Sequence, residues 1–123
     1  MATLEVRDDD LVVTLSGVER LVAMKREVRV PLASVRRVCA DPEPWCALRG
    51  MRVQGTGIPG VVAYGVRWMT GARPDFAAIH GRGPAVRVEL SPESRYGRLL
   101  VTVADPQATV AAVRAEVEPE HAV

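Results

Sequence analysis

Aromatic side chains are scarce in this sequence: two tryptophans, two tyrosines and one phenylalanine make up 4% of it. Valine and alanine must therefore fill most of the interior, and abundant valine favours strands. Long apolar runs are missing as well. No stretch approaches the roughly 18 to 20 residues that cross a bilayer as a helix. The N-terminal MATLEVRDDD has neither the basic n-region nor the apolar h-region of a secretory signal. These absences lead to the expectation of a soluble, cytoplasmic protein. Lysine is nearly absent too, since Lys25 is the single lysine among 16 basic residues. A GC-rich genome produces that bias without any functional demand.

Metal ligands and catalytic signatures are equally sparse. Cys39 and Cys46 are too far apart for the usual zinc pair, and only His80 and His121 remain to complete a site. The expectation is two free thiols in a reducing compartment and no metal. There is no G-x-S-x-G elbow, no H-E-x-x-H and no P-loop lysine. A dyad of Cys39 or Cys46 with His80 stays open at this level, because such partners meet in space rather than in sequence. The reading is a protein that is not an enzyme and carries no cofactor. A flavin-binding split barrel, another small β barrel with helices, is the enzyme-like alternative, and a yellow purified protein would mark it.

What is present is a strand-rich pattern. The 123 residues suit one domain, with a core over about 10–118 and a loose tail at 119–123. Leu11, Val13 and Leu15 alternate with Val12 and Thr14, which suits a first strand. Ser16 and Glu19 form a capping-box pattern ahead of a short helix over 17–24. EVRVPL and SVRRVCA read as strands, and DPEPWC as a loop because of its two prolines. VVAYGVRWM, DFAAIH, AVRVEL and RLLVTVA follow, separated by TGARP, GRGP and SPESRYG as turns. In AVRVEL, Val86, Val88 and Leu90 share one face and Arg87 and Glu89 the other, as in a strand buried on one side. Leu99, Val101 and Val103 likewise face one way. Asp105 then caps a helix with Pro106 at its first position, and Val110, Val113 and Val117 form its apolar stripe. The layout is about seven strands with hairpin-type connections and one C-terminal helix.

Within it, Gly55-x-Gly57-x-x-Gly60 spells the dinucleotide-binding fingerprint. That fingerprint requires a helix to follow, whose N-terminus receives the pyrophosphate. Here the glycines lead into VVAYGVRWM, with period-two spacing and Gly65 in its middle, so a strand follows instead. Gly55, Gly57, Pro59 and Gly60 are therefore read as a structural turn that aims the next strand.

Three stretches carry a family resemblance: Val30-Pro31-Leu32 leading into Val35 and Val38, the Gly55-Thr56-x-Ile58-Pro59-Gly60 run, and the Asp105-Pro106 helix start. Together they resemble a set of small, functionally unassigned actinobacterial proteins with a bacterial pleckstrin-homology-like domain, over about residues 10–118. The resemblance implies two nearly orthogonal antiparallel sheets in a partly open barrel, with the C-terminal helix capping one end. It implies no activity. The helix at 17–24 departs from the simplest layout of that fold.

Charge is uneven along the chain. Residues 20–52 hold eight basic and three acidic residues, a net +5, whereas the whole chain is +1. Lys25, Arg26, Arg29, Arg36 and Arg37 are thus candidates for meeting an anion or an acidic partner. Outward strand positions that keep a sheet soluble explain them as well. No aromatic is interleaved with them before Trp45, which speaks against nucleic acid. The leading functional reading is a non-catalytic interaction module for a protein or peptide partner. Peripheral binding of anionic lipid headgroups is second, and pairing of exposed strand edges into a homo-oligomer is a further expectation.

Overall fold

The computed structural model describes residues 2–15, 27–47, 51–58, 62–68, 73–81 and 83–117. These fold as a mainly β structure of two sheets and a C-terminal helix. The smaller sheet is an antiparallel meander of β1 (Thr3–Arg7), β2 (Asp10–Thr14) and β3 (Glu27–Pro31). A one-turn 3-10 helix, Leu32–Ser34, leads into the larger sheet. That sheet contains β4 (Val35–Asp41), β5 (Met51–Ile58), β6 (Val62–Trp68), β7 (Asp75–His80), β8 (Ala85–Leu90) and β9 (Arg98–Val101). Its order is β4-β8-β9-β7-β6-β5. A short helix, α1 (Pro44–Ala47), lies between β4 and β5, and α2 (Pro106–Glu116) ends the fold.

Local chemistry explains most of these elements. The two-residue turn Asp8-Asp9 joins β1 to β2, and both residues have positive φ, 50° and 67°. Such a mirror-image turn matches the twist of a hairpin, and aspartate tolerates the left-handed region better than most residues. At the other end, the Asp105 carboxylate accepts from the Ala108 N–H at 3.1 Å and Pro106 opens α2, as the sequence predicts. Val110, Val113 and Val117 are all buried. They pack into the space between the sheets, where α2 meets the terminal strands β1 and β4.

The main core lies between the two sheets. The small sheet contributes Leu4, Leu11, Val13, Val28 and Val30. The large sheet contributes Val38, Phe76, Ala78, Val86, Val88, Leu99 and Val101. The inward positions expected for β8 and β9 are thus the ones observed, with Arg87 and Glu89 half-exposed on the opposite face. A second, smaller cluster of Ala63, Ile79 and Leu100 occupies that opposite face beneath Trp45. Trp45 is held there by its indole N–H, which donates to the Gly81 carbonyl at 2.8 Å. The central strand β7 is consequently buried on both faces from Asp75 to Ile79.

Several expectations need correction. Nine strands are present among the described residues rather than about seven. Strand β1 adds one ahead of the expected first strand, and β5 runs through the segment read as a glycine turn. Gly55 and Gly57 lie inside β5, paired with Gly65 and Ala63 of β6; Pro59 and Gly60 fall outside the described residues. DPEPWC is not all loop, because α1 starts at Pro44, a position where proline's missing N–H costs nothing. The sheet is not wholly antiparallel either. β9 inserts between β7 and β8 and runs parallel to β7, so GRGP is a crossover and not a hairpin turn. The expected helix at 17–24, the tail at 119–123 and His121 lie outside the described residues.

The long β8–β9 loop is organised by one side chain. Arg73 donates from Nη1 to the carbonyls of Ser91, Ser94 (3.2 Å) and Tyr96 (2.8 Å). Its Nη2 approaches the Leu90 carbonyl at 3.4 Å. A charged donor shared among carbonyls of one loop closes that loop where little regular pairing exists, and each such bond contributes about 1.5–3 kcal/mol when well formed. Arg73→Ala is expected to lower unfolding free energy by about 2–3 kcal/mol, and Arg73→Lys to recover only part of it, because an ammonium lacks the planar fork. Urea denaturation of the two variants checks this; equal stability of all three proteins would show that the loop holds itself.

Candidate functional site

The described candidate basic residues stand on two sheets, Arg29 on β3 and Arg36 and Arg37 on β4. Arg29 extends from β3 on the outer face of the small sheet, where it bonds Asp10 and Glu27, each at 3.2 Å. Its pKa is raised, first by the hydrogen bond to Glu27 and then by that to Asp10. The same face pairs Arg7 with Glu5. Arg36 and Arg37 are exposed on β4, at a point where the ladder with β8 shifts register between Val35 and Arg37. Lys25 and Arg26 lie outside the described residues.

Pairing register shows what surrounds Arg37. On the outer face of the large sheet, β6 places Arg67 opposite Asp75 of β7, and Asp75 bonds Arg98 of β9 at 3.3 Å. Arg98 is opposite Glu89 of β8, and Glu89 is opposite Arg37 of β4. The result is a cross-strand row of alternating sign: Arg67, Asp75, Arg98, Glu89, Arg37. Opposite charges at directly paired positions attract, whereas like charges there would repel. The row holds three arginines and two acids, and each carboxylate stands between two arginine positions. Arg36, the neighbour of Arg37, contributes with Arg73 to holding the Glu93 carboxyl below the usual carboxylate range; the larger causes there are Glu93's own backbone N–H and the Ser91 hydroxyl.

Beside that row sits a smaller polar group. Arg87 donates from Nη2 to the Cys39 thiol at 3.6 Å, with Asp41 at 3.5 Å and Glu89 at 3.6 Å from its guanidinium. Burial works against the charge of Arg87, but its hydrogen bond to Cys39 and the nearby Asp41 and Glu89 carboxylates raise its pKa. Cys39 is a free, half-buried thiol. It has no histidine in reach through His80. The two residues are on strands β4 and β7, with β8 and β9 between them. Three strand spacings are about 14 Å. Moreover Cys39 is paired on the outer face with Arg87, whereas His80 falls in alternation with the core-facing Phe76 and Ala78. A Cys39–His80 dyad is therefore not formed. The side chain of Cys46 lies outside the described residues. No group of three or more His, Cys, Asp or Glu placed to hold a metal occurs among the described residues.

One cleft, of about 520 Å³, opens at the tip of the small sheet and is lined by Asp9, Asp10, Pro31, Leu32, Ala33 and Glu116. Three of its lining residues are acidic and three apolar, and the Leu32 N–H donates to the Asp9 carbonyl at 2.9 Å. The C-terminal end of α2, the negative end of its dipole, meets it at Glu116. An anionic headgroup is repelled there, although Arg29 is nearby on β3.

Among the residues sequence reasoning missed, Arg73, Asp75 and Arg98 matter most for the shape of this region. Asp75 and Arg98 carry no motif, and their pairing depends on β7 and β9 lying side by side. No family model, curated protein or solved structure matches the chain. No helix among the described residues is long and apolar enough to cross a membrane.

Proposed function

We propose that this chain is a non-catalytic interaction module that binds a protein or peptide partner, built as a partly open, pleckstrin-homology-like barrel in which α2 caps one end. The observation that carries the reading is the state of the charged side chains. On the outer face of the small sheet Arg29 bonds Asp10 and Glu27, and on that of the large sheet Arg98 bonds Asp75 while Arg87 lies against Asp41 and Glu89. Side chains committed in this way offer a lipid headgroup little net positive field. Backbone at strand edges is the recognition element such a fold leaves over, and adding a strand to an edge is a common way for a small β domain to hold a peptide. The parallel β7–β9 pair is a departure from the antiparallel barrel of the family it resembles. That departure leaves the sheet edges in place. A cytoplasmic setting is part of the same proposal.

Flotation on anionic vesicles tests the reading against its rival. The expected result is no flotation of the wild-type chain at low or physiological salt. Salt-sensitive flotation that Arg36→Glu with Arg37→Glu abolishes would establish headgroup binding and overturn the proposal.

A further inference from the structure

Three separate segments build the cleft beside Asp9. The β1–β2 connection supplies Asp9 and Asp10, the corner after β3 supplies Pro31, Leu32 and Ala33, and the end of α2 supplies Glu116. The first two are tied together by the backbone bond from Leu32 to Asp9 and by the Asp10–Pro31 pairing of β2 with β3. The third is held in place because Val113 and Val117, which flank Glu116 in the chain, are buried in the main core. Walls fixed in this way exist before any ligand arrives. A volume of about 520 Å³ lies within the roughly 300–1,000 Å³ usual for ligand sites.

The charge of this cleft is unbalanced. Of its three carboxylates, Asp10 is engaged by Arg29 at 3.2 Å. The side chains of Asp9 and Glu116 have no ion-pair or hydrogen-bond partner among the described residues. Nor does the local fold require either acid. Glu116 stands in the last turn of α2, where the helix dipole is already negative, so a carboxylate there works against helix stability. Asp9 sits at φ 67° in a two-residue turn that asparagine or glycine would form as readily. It also lies between Asp8 and Asp10, whose charges repel its own.

We propose that this cleft receives a basic side chain, lysine or arginine, presented by a partner protein. The inference rests on the interaction-module reading and names the chemistry of the partner. The occupant follows from the two halves of the lining taken together. Three carboxylates turn away an anion. Pro31, Leu32 and Ala33 offer a metal ion no ligand side chain, and no group of three or more acids is placed to hold one among the described residues. A purely apolar ligand would strip water from carboxylates and give them nothing in return. A long basic side chain satisfies both halves. Its methylene stem lies along the apolar wall while its charged end meets Asp9 and Glu116.

Amide chemical shifts of the full chain, followed while the blocked tripeptide alanine–arginine–alanine is added to millimolar concentration, test this. Saturable shifts are expected at Asp9, Asp10, Leu32, Ala33 and Glu116. The same tripeptide with citrulline in place of arginine keeps the shape without the charge, and is expected to bind about fivefold more weakly. The variant Asp9→Asn with Glu116→Gln is expected to weaken the arginine peptide by a similar factor. It should fold as the wild type does, because asparagine accepts the left-handed backbone at position 9 and glutamine relieves the end of α2. Absence of shifts at these residues, equal binding of the citrulline peptide, or binding that the double variant leaves intact overturns the proposal. So does calcium or magnesium chloride that reproduces the shifts and displaces the peptide, which would make the cleft a metal site. Shifts that grow with protein concentration alone would assign it to a second copy and overturn the partner. A chain that shows no shift and does not float on anionic vesicles loses this site and keeps the interaction-module reading. A chain that floats loses that reading, while the titration still decides the cleft.

Discussion

Phe76→Ala is expected to lower the unfolding free energy by about 4 kcal/mol. Phe76 is the one phenylalanine of the chain and is fully buried in the middle of β7. On the core face it lies between Val66 of β6 and Leu99 of β9, and its ring meets that of Tyr96 edge-on at 6.0 Å and 61°. Its other neighbours are small or stiff. Ala78, Val86, Val88 and Val101 are buried around it, and β-branched valines on a sheet have few alternative rotamers with which to refill a hole. The cavity should therefore persist, which puts the loss in the upper part of the usual range for such truncations. Phe76→Leu keeps more of the volume and is expected to cost about 1–1.5 kcal/mol. Urea denaturation with an unchanged m-value measures both. A loss below about 1.5 kcal/mol for the alanine variant would show that the site collapses, contrary to a core filled by valine.

Asp75→Ala is expected to cost about 3–4 kcal/mol, close to the effect of emptying the core. Asp75 is 2% exposed and its Oδ2 accepts from Arg98 at 3.3 and 3.4 Å; the Arg98 side chain is 15% exposed. In the alternating row the carboxylate stands between two guanidinium-bearing positions, Arg67 and Arg98. Removing it leaves like charges facing each other across a half-buried surface. The penalty comes from the unmatched charge more than from the lost pair. A second variant separates the two: Asp75→Val combined with Arg98→Met removes both partners and should be clearly more stable than Asp75→Ala, since apolar replacement of a buried pair is often near neutral. The double-mutant cycle for this pair should give a coupling of about 1.5–3 kcal/mol, and additive losses would show that Asp75 acts without Arg98.

The sequence by itself determined the local elements that obey one period or one capping rule. The Asp105-Pro106 start and the Val110–Val113–Val117 stripe predicted α2 because capping and helical spacing act within a few residues. The inward faces of β8 and β9 were legible for the same reason, since alternation shows directly when one face is buried. So was the absence of a helix after Gly55-x-Gly57-x-x-Gly60, where β6 follows. By contrast, β5 was hidden by its own composition. Glycine and glutamine have low strand propensity, and only the ladder supplied by β6 makes this segment a strand. β1 shows the period-two pattern in Leu4 and Val6, but so short a strand is identified by its partner across the Asp8-Asp9 turn.

Only the tertiary structure decided the strand order. Placing β9 between β7 and β8, parallel to β7, joins residues far apart in the chain, and no local pattern records that choice. The candidate site depends on it entirely. Asp75 meets Arg98, the alternating row forms and Cys39 is separated from His80 because of which strands are neighbours. The arginine excess over residues 20–52 was visible as a sum of charges. Whether each arginine faces solvent or a carboxylate is a matter of register, because electrostatic pairing acts over a few ångströms of space and is blind to distance along the chain.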